Sequence, residues 1–339
     1  VTVYAELCVT SNFSFLRGAS HPEELVQRAT ELGLNAIAIT DRNSVAGVVR
    51  AFSALKEMQR LRDEAGQGAQ MPLPRLIPGA RLVLTDSGVE WIALPTDLAA
   101  WSRLTRLLSL GKRRAGKGSC HINLADLEEW GRGMILIALP PDPLEGGGYE
   151  PDLRRIVHRF AGQCCLGAAP HYDGQDQERL DRLAEISQAT GLTLLAVGNV
   201  LMHRSHRRPL ADVLTCIREG CTIDEIGERR LANGEHRLKS GDELARIFHR
   251  YPAALRRTVE IADRCAFRLD QLRYQYPDEA QDGEPAQVRL ERLAREGLNW
   301  RYPDGPPPKI VSRVEKELRL IAEVEYAPYF LTVYDIVSF

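Results

Sequence analysis

Seven short apolar runs, at 3–9, 35–40, 76–84, 89–94, 133–139, 164–169 and 193–198, have strand character, and most are separated by amphipathic helical stretches. The helical stretches lie near 22–32, 44–63, 97–111, 151–161, 176–190 and 208–218. Pro22 after Ser20-His21 marks a helix start, and Gly33 marks its stop. Strands alternating with helices pair in parallel through right-handed crossovers. Seven such runs predict an α/β protein built as a closed βα barrel; an open doubly wound sheet is the alternative.

Beyond residue 205 the pattern turns helical, at 208–218, 240–250, 252–266, 285–299 and 309–324. The segments 63–75 and 141–150 read as surface loops, and PDGPPP at 303–308 as a rigid extended break. A change of domain is expected between about 270 and 310, placed at 275/276. The stop at Phe339, in the middle of an apolar segment, reads as the end of a fragment of something longer. The net charge of −2 gives no global basic field, so any nucleic-acid contact must come from local patches. Seven scattered Cys without a Cys-x-x-Cys point to free thiols in a reducing compartment, with Cys164 and Cys165 as buried structural thiols. No apolar run reaches the roughly 18 residues of a membrane span, and no signal-peptide pattern opens the chain, so a cytoplasmic location is expected.

In a βα barrel, chemistry sits at the C-terminal ends of the strands and in the loops that follow. A hydrolytic metal cluster needs several His, Asp and Glu converging there. The strand ends instead carry Cys8 and Thr10, Asp41 and Arg42, Arg81, Glu90 at the start of the fourth run, Pro140, His171, and then Asn199 and Leu201. Few of these are good ligands. Arg42 and Arg81 place positive charge where a dication would sit, a repulsion of about several kcal/mol at short range. Asp41 and Glu90 are expected to pair with those arginines and fill the space with salt bridges.

Two basic stretches lie elsewhere. In LMHRSHRRPL, His203 and His206 have metal-like spacing but no third ligand nearby. A solvated loop is the plain expectation, with His203, Arg204, Arg207 and Arg208 as candidate phosphate or partner contacts. GKRRAGKG at 111–118 reads as a second basic loop, without interleaved aromatics to stack bases. No nucleophile elbow or Walker motif occurs; GGG at 146–148 reads as a loop.

Residues 3–49, VYAELCVTSNFSFLRGASHPEELVQRATELGLNAIAITDRNSVAGVV, resemble the opening of a polymerase-associated phosphoesterase-type (PHP) domain. RLIPGARL at 75–82, GMILIALPPDP at 133–143, GNVLMHRSHRRPLADVLTCIREG at 198–220, LDQLRYQYPDE at 269–279 and EVEYAPYFLTVYDIVSF at 323–339 extend the likeness. Together they resemble the bacterial C-family DNA polymerases, of the DNA polymerase III alpha-subunit type, and within them the error-prone branch.

That resemblance implies a PHP-type distorted (βα)7 barrel over 1–275 and, over 276–339, a mainly helical segment entering the polymerase palm. It implies a role in damage-induced mutagenesis and translesion synthesis, with primer-template DNA and deoxynucleotides as substrates. Accessory mutagenesis proteins and a sliding clamp are the implied partners, and no membrane. Mg would serve a polymerase site outside this chain, since the family's palm aspartates lie beyond it and no Asp-x-Asp occurs here. The family's metal-ligand slots map onto Cys8, Thr10, Asp41, Arg42, Arg81, Glu90, Pro140, Asn199 and Leu201, a degenerate set that implies a structural barrel with no metal and no catalytic residue of its own. A metal-dependent phosphoesterase or nuclease of the PHP superfamily is the alternative.

Overall fold

The structure, a computed structural model, describes residues 2–66, 72–141, 144, 148–273 and 283–339. Parts of the loops at 63–75 and 141–150, Gly146 and Gly147, most of 269–279 and the boundary at 275/276 lie outside the described residues. The chain divides into two compact units, Val1–Leu272 and Arg273–Phe339.

In the first unit seven strands form one sheet in sequence order: β1 Ala5–Val9, β2 Ala36–Arg42, β3 Arg75–Leu82, β4 Glu90–Pro95, β5 Met134–Leu139, β6 Cys164–Ala168 and β7 Thr193–Ala196. The intervening helices are α1 Pro22–Glu31, α2 Ala46–Glu64, α3 Leu98–Arg114, α4 Leu124–Trp130, α5 Glu150–Arg159 and α6 Asp176–Thr190. After β7 come α7 Arg208–Glu219, α8 Gly241–Ile247 and α9 Pro252–Arg264. The helix α4 is absent from the sequence-based assignment, and α8 is shorter than the expected 240–250, ending where Phe248 turns its amide back to Leu244.

Side-chain alternation splits each strand between two apolar cores. Ala36 and Ala38 of β2, Ile77 of β3, Ile92 and Leu94 of β4, and Ile135 and Ile137 of β5 pack together with Ile261 and Ala262 of α9. Their neighbours Ile37, Ile39, Trp91, Ala93, Leu136 and Ala138 pack in the other core, with the surrounding helices. Both faces of the sheet are therefore buried, which is why these runs are continuously apolar.

The sheet curls back on itself at a seam. Val9 bridges to Val200 in parallel, with Thr10 N donating to Val200 O and Val200 N to Cys8 O. The α9 helix braces the same seam: Thr258 accepts from Ala5 N, and Arg257 donates to Leu194 O. One departure from the expected all-parallel barrel matters. The β4 strand pairs antiparallel with both β3 and β5. The connection from Leu82 to Glu90 is too short for a parallel crossover, which needs about a dozen residues. The reversal brings the first residue of β4, Glu90, level with the last residues of its neighbours: Glu90 pairs in register with Leu139.

The second unit holds α10 Ala286–Arg301, α11 Pro308–Glu323 and α12 Ala327–Ser338. Arg289, buried, reaches Asp335, and Gln287 donates to Leu318 O, tying α10 to both partners. The PDGPPP segment is not an extended break between domains. It is a turn within this unit, with Gly305 at positive φ and Pro308 opening α11.

Candidate functional site

The inner core column continues upward into polar groups. Counting by twos, Ala38 leads to Thr40 and Arg42, Ile77 to Gly79 and Arg81, and Ile92 back to Glu90. Period-2 alternation thus delivers two guanidinium groups and one carboxylate to the barrel mouth. Arg42 Nη1 lies 2.7 Å from Glu90 Oε1, and Arg81 Nη1 lies 3.6 Å from Glu90 Oε2. Arg81 also donates through Nη2 to Cys8 Sγ at 3.0 Å and to Asn199 Oδ1. Its side chain is only 12% exposed. Burial works against the cation, but the facing Cys8 and Glu90 hold its pKa above the usual guanidinium value. Burial pushes the Cys8 thiol up, despite the pull of Arg81. A cavity of about 300 Å3 opens at this mouth, lined by Arg81, Glu90, Pro140, His171, Arg179 and Asn199 among others.

Asp41 does not join the pairing expected of it. Its carboxylate accepts from Ser11 N at 2.8 Å, Ser11 Oγ at 2.8 Å and Ser14 Oγ at 2.7 Å. Arg42 N in turn donates to Ser14 Oγ at 2.8 Å. Burial raises the Asp41 pKa while these donors oppose the rise. Asp41 therefore pins the loop between β1 and α1. Gly47 lets this happen: a Cβ there would stand 2.4 Å from Asp41 Oδ2.

The remaining slots are structural. Thr10 is buried, with its amide on Val200 O and its Oγ1 without a hydrogen-bond partner. Leu201 packs beside Ala19, Met202 and Ala211, and its amide donates to His236 O. Asn199 adopts a left-handed backbone, φ 47°, and its carbonyl faces His236 Nδ1 at 3.1 Å. Among the described residues no group of three or more His, Cys, Asp or Glu could hold a metal ion. The donor set of the mouth does not suit a hydrolytic metal cluster: two fixed guanidinium groups already neutralise its one carboxylate.

Glu6 was not singled out from the sequence. It is buried, and accepts from Tyr4 Oη at 2.8 Å, Cys8 N at 3.0 Å and Gly198 N at 3.0 Å. It thereby joins β1 to the segment after β7, where the β1–β2 register breaks between Glu6 and Val9. Gly198 is needed there, since a Cβ would stand 2.2 Å from Glu6 Oε2. Burial raises its carboxyl pKa to about 7, against the opposing hydrogen bonds from Tyr4, Gly198 and Cys8. The signal was legible as one acidic residue inside the apolar run YAELCV.

In the loop at 203–208 Arg204 and His206 are exposed, and its cations are paired within the fold. His203 is buried, with Nδ1 2.8 Å from Ser20 Oγ, and burial lowers its pKa. Arg204 pairs with Glu31, Arg207 with Glu24, and Arg208 with Leu231 O and Asp212. These cations fasten the loop to α1 and α7. The other basic stretch is also partly helical: 111–114 form the last turn of α3. All seven Cys are free, with Cys165 buried and Cys164 half-buried.

A curled seven-stranded sheet with this mouth is the architecture of the PHP fold, and the PHP domain family matches residues 6–191. The chain belongs to the PHP domain family. Residues 288–339 match the family described as bacterial DNA polymerase III alpha NTPase domain. The chain is 55% identical to an error-prone DNA polymerase of Ruegeria pomeroyi over 99% of its own length and 32% of the relative's. It is 44% identical to an error-prone DNA polymerase of Rhodopseudomonas palustris over all of its own length and 30% of the relative's. The chain thus spans about a third of the length of these curated relatives. A solved amidohydrolase of Chromobacterium violaceum, 15% identical, covers 59% of this chain and 88% of its own, with a TM-score of 0.40.

Proposed function

We propose that this chain is the N-terminal portion of an error-prone DNA-directed DNA polymerase acting in damage-induced mutagenesis and translesion synthesis. The observation that carries this reading is the 55% identity, over 99% of the chain, to a relative bearing that name. Val1–Leu272 serves as a structural PHP barrel, and the three-helix unit from Arg273 leads into the palm. The barrel works without metal. Glu90 offsets only one of the two charges of Arg42 and Arg81 in the mouth, so a net positive charge that would repel a dication is built in. Mg ions act at a paired-carboxylate site supplied by the longer protein. Primer-template DNA and deoxynucleotides are the substrates, accessory mutagenesis proteins and a sliding clamp the partners, and the cytoplasm the location. No helix among the described residues is long and apolar enough to cross a membrane.

The test compares two proteins: the 339-residue chain and the product of the gene read on past the codon of Phe339. With Mg, the longer product should extend a primer past an abasic template position, and the shorter chain should add no nucleotide. Absence of any extension by the longer product refutes the polymerase reading. Hydrolysis of DNA 3′ ends or p-nitrophenyl phosphate by the shorter chain with Mn or Zn refutes the structural role of the barrel.

A further inference from the structure

Beside the mouth lies a larger groove, of about 840 Å3, that the polymerase reading does not use. Four separate pieces of chain build it: the β1–α1 loop with Phe13, Phe15 and Arg17; the turn after β2; the turn after β3; and the end of α3 with the loop to His121. Among the described residues no Asp or Glu lines it. Arg17, Lys112 and Lys117 reach into it and make no ion pair among the described residues. All three are exposed. Burial, and then the neighbouring Arg42 and Arg218, pull the Arg17 pKa below its usual value, as expected where cations crowd together. Phe15 is 82% exposed and Phe13 36%. The sequence order hides this combination, since the aromatics lie about a hundred residues from the lysines they accompany.

The walls are fixed. Asp41 pins the loop that carries both phenylalanines through Ser11 and Ser14. Asn43, in a left-handed conformation at φ 46°, holds the turn after β3 by exchanging two hydrogen bonds with the Val83 backbone. Thr85 N donates to Ile122 O, and Leu124 N to Asp86, which ties that turn to the segment after α3.

Exposed cations without an ion pair among the described residues, on a braced backbone and with an exposed aromatic beside them, match the chemistry of a single strand: phosphates for the cations and a base face for the ring. A duplex offers no free base face, and a bare anion needs no phenylalanine. We propose that this groove binds single-stranded nucleic acid, with phosphates on Arg17, Lys112 and Lys117 and a base stacked on Phe15. The inference stands on the groove alone and does not require the polymerase reading.

The test is fluorescence anisotropy of the 339-residue chain with labelled oligo(dU) and oligo(U) of about a dozen nucleotides, from about 50 to about 200 mM salt. Three neutralised phosphates predict a log–log salt slope near −2, a loss of about twentyfold across that range. Arg17→Ala/Lys112→Ala/Lys117→Ala should abolish most binding and flatten the slope. Phe15→Ala should weaken binding about tenfold and leave the slope unchanged. Arg154→Ala/Arg182→Ala, on α5 and α6, should bind as the parent chain does. A preference for one oligonucleotide assigns the sugar; equal binding assigns a groove that reads phosphate and base only. The proposal is overturned if neither oligonucleotide binds at the low salt. It is equally overturned if the triple variant binds normally, if duplex DNA binds as well as the single strand, or if Phe15→Ala has no effect while pyrophosphate displaces the strand.

Discussion

At the scale of single residues, Arg81 and Glu6 show one buried charge kept by its acceptors and another that its donors only partly retain. Arg81 has Glu90, Cys8 and Asn199 to receive its N–H groups. Glu6 has three donors and, among the described residues, no cation in contact, and its pKa rises to about 7 from 4.5. A raised carboxyl pKa means the folded state holds its proton more tightly than the unfolded chain does. The linked stability is complete below pH 4.5 and is lost as pH rises through 7, a change on the order of 3 kcal/mol. Glu6→Gln cannot ionise, so the melting-temperature advantage of the parent chain over it should shrink steadily between pH 5 and pH 8. A difference independent of pH would show that Glu6 is ionised throughout.

At the scale of elements, the β1–α1 loop is held by side chains rather than by a sheet or helix. Asp41 stands at the end of β2 and receives the loop through Ser11 and Ser14, while Ser14 also takes the Arg42 amide. Removing one buried acceptor strands several donors at once. Asp41→Ala should cost about 2 kcal/mol in urea denaturation and speed hydrogen exchange at the amides of Ser11, Phe13 and Arg42. Amides remote from the loop, such as those of β5, should keep their protection. Uniformly faster exchange would mean that Asp41 supports the whole barrel and not this loop.

At the scale of the molecule, a PHP scaffold carries a three-residue ion cluster at its mouth. A ligand stabilises a fold only by binding the folded state better than the unfolded one. Micromolar Zn or Mn should therefore shift the melting temperature of the chain by no more than about 1 °C. A shift of many degrees would mean that the mouth binds metal in spite of Arg42 and Arg81.

The sequence by itself determined the strand–helix alternation, the family, and the identity of the charges at the strand ends, because period-2 burial and ligand type are local properties. Glu90 with Arg42 and Arg81 was legible in this way. The partner of Asp41, the seam through Glu6 and Gly198, and the meeting of Phe15 with Lys112 and Lys117 were decided only by tertiary structure. The physical reason is common to all three. Each depends on strand pairing or sheet closure that joins residues far apart in the chain, and no local pattern encodes which distant backbone will arrive beside a given side chain.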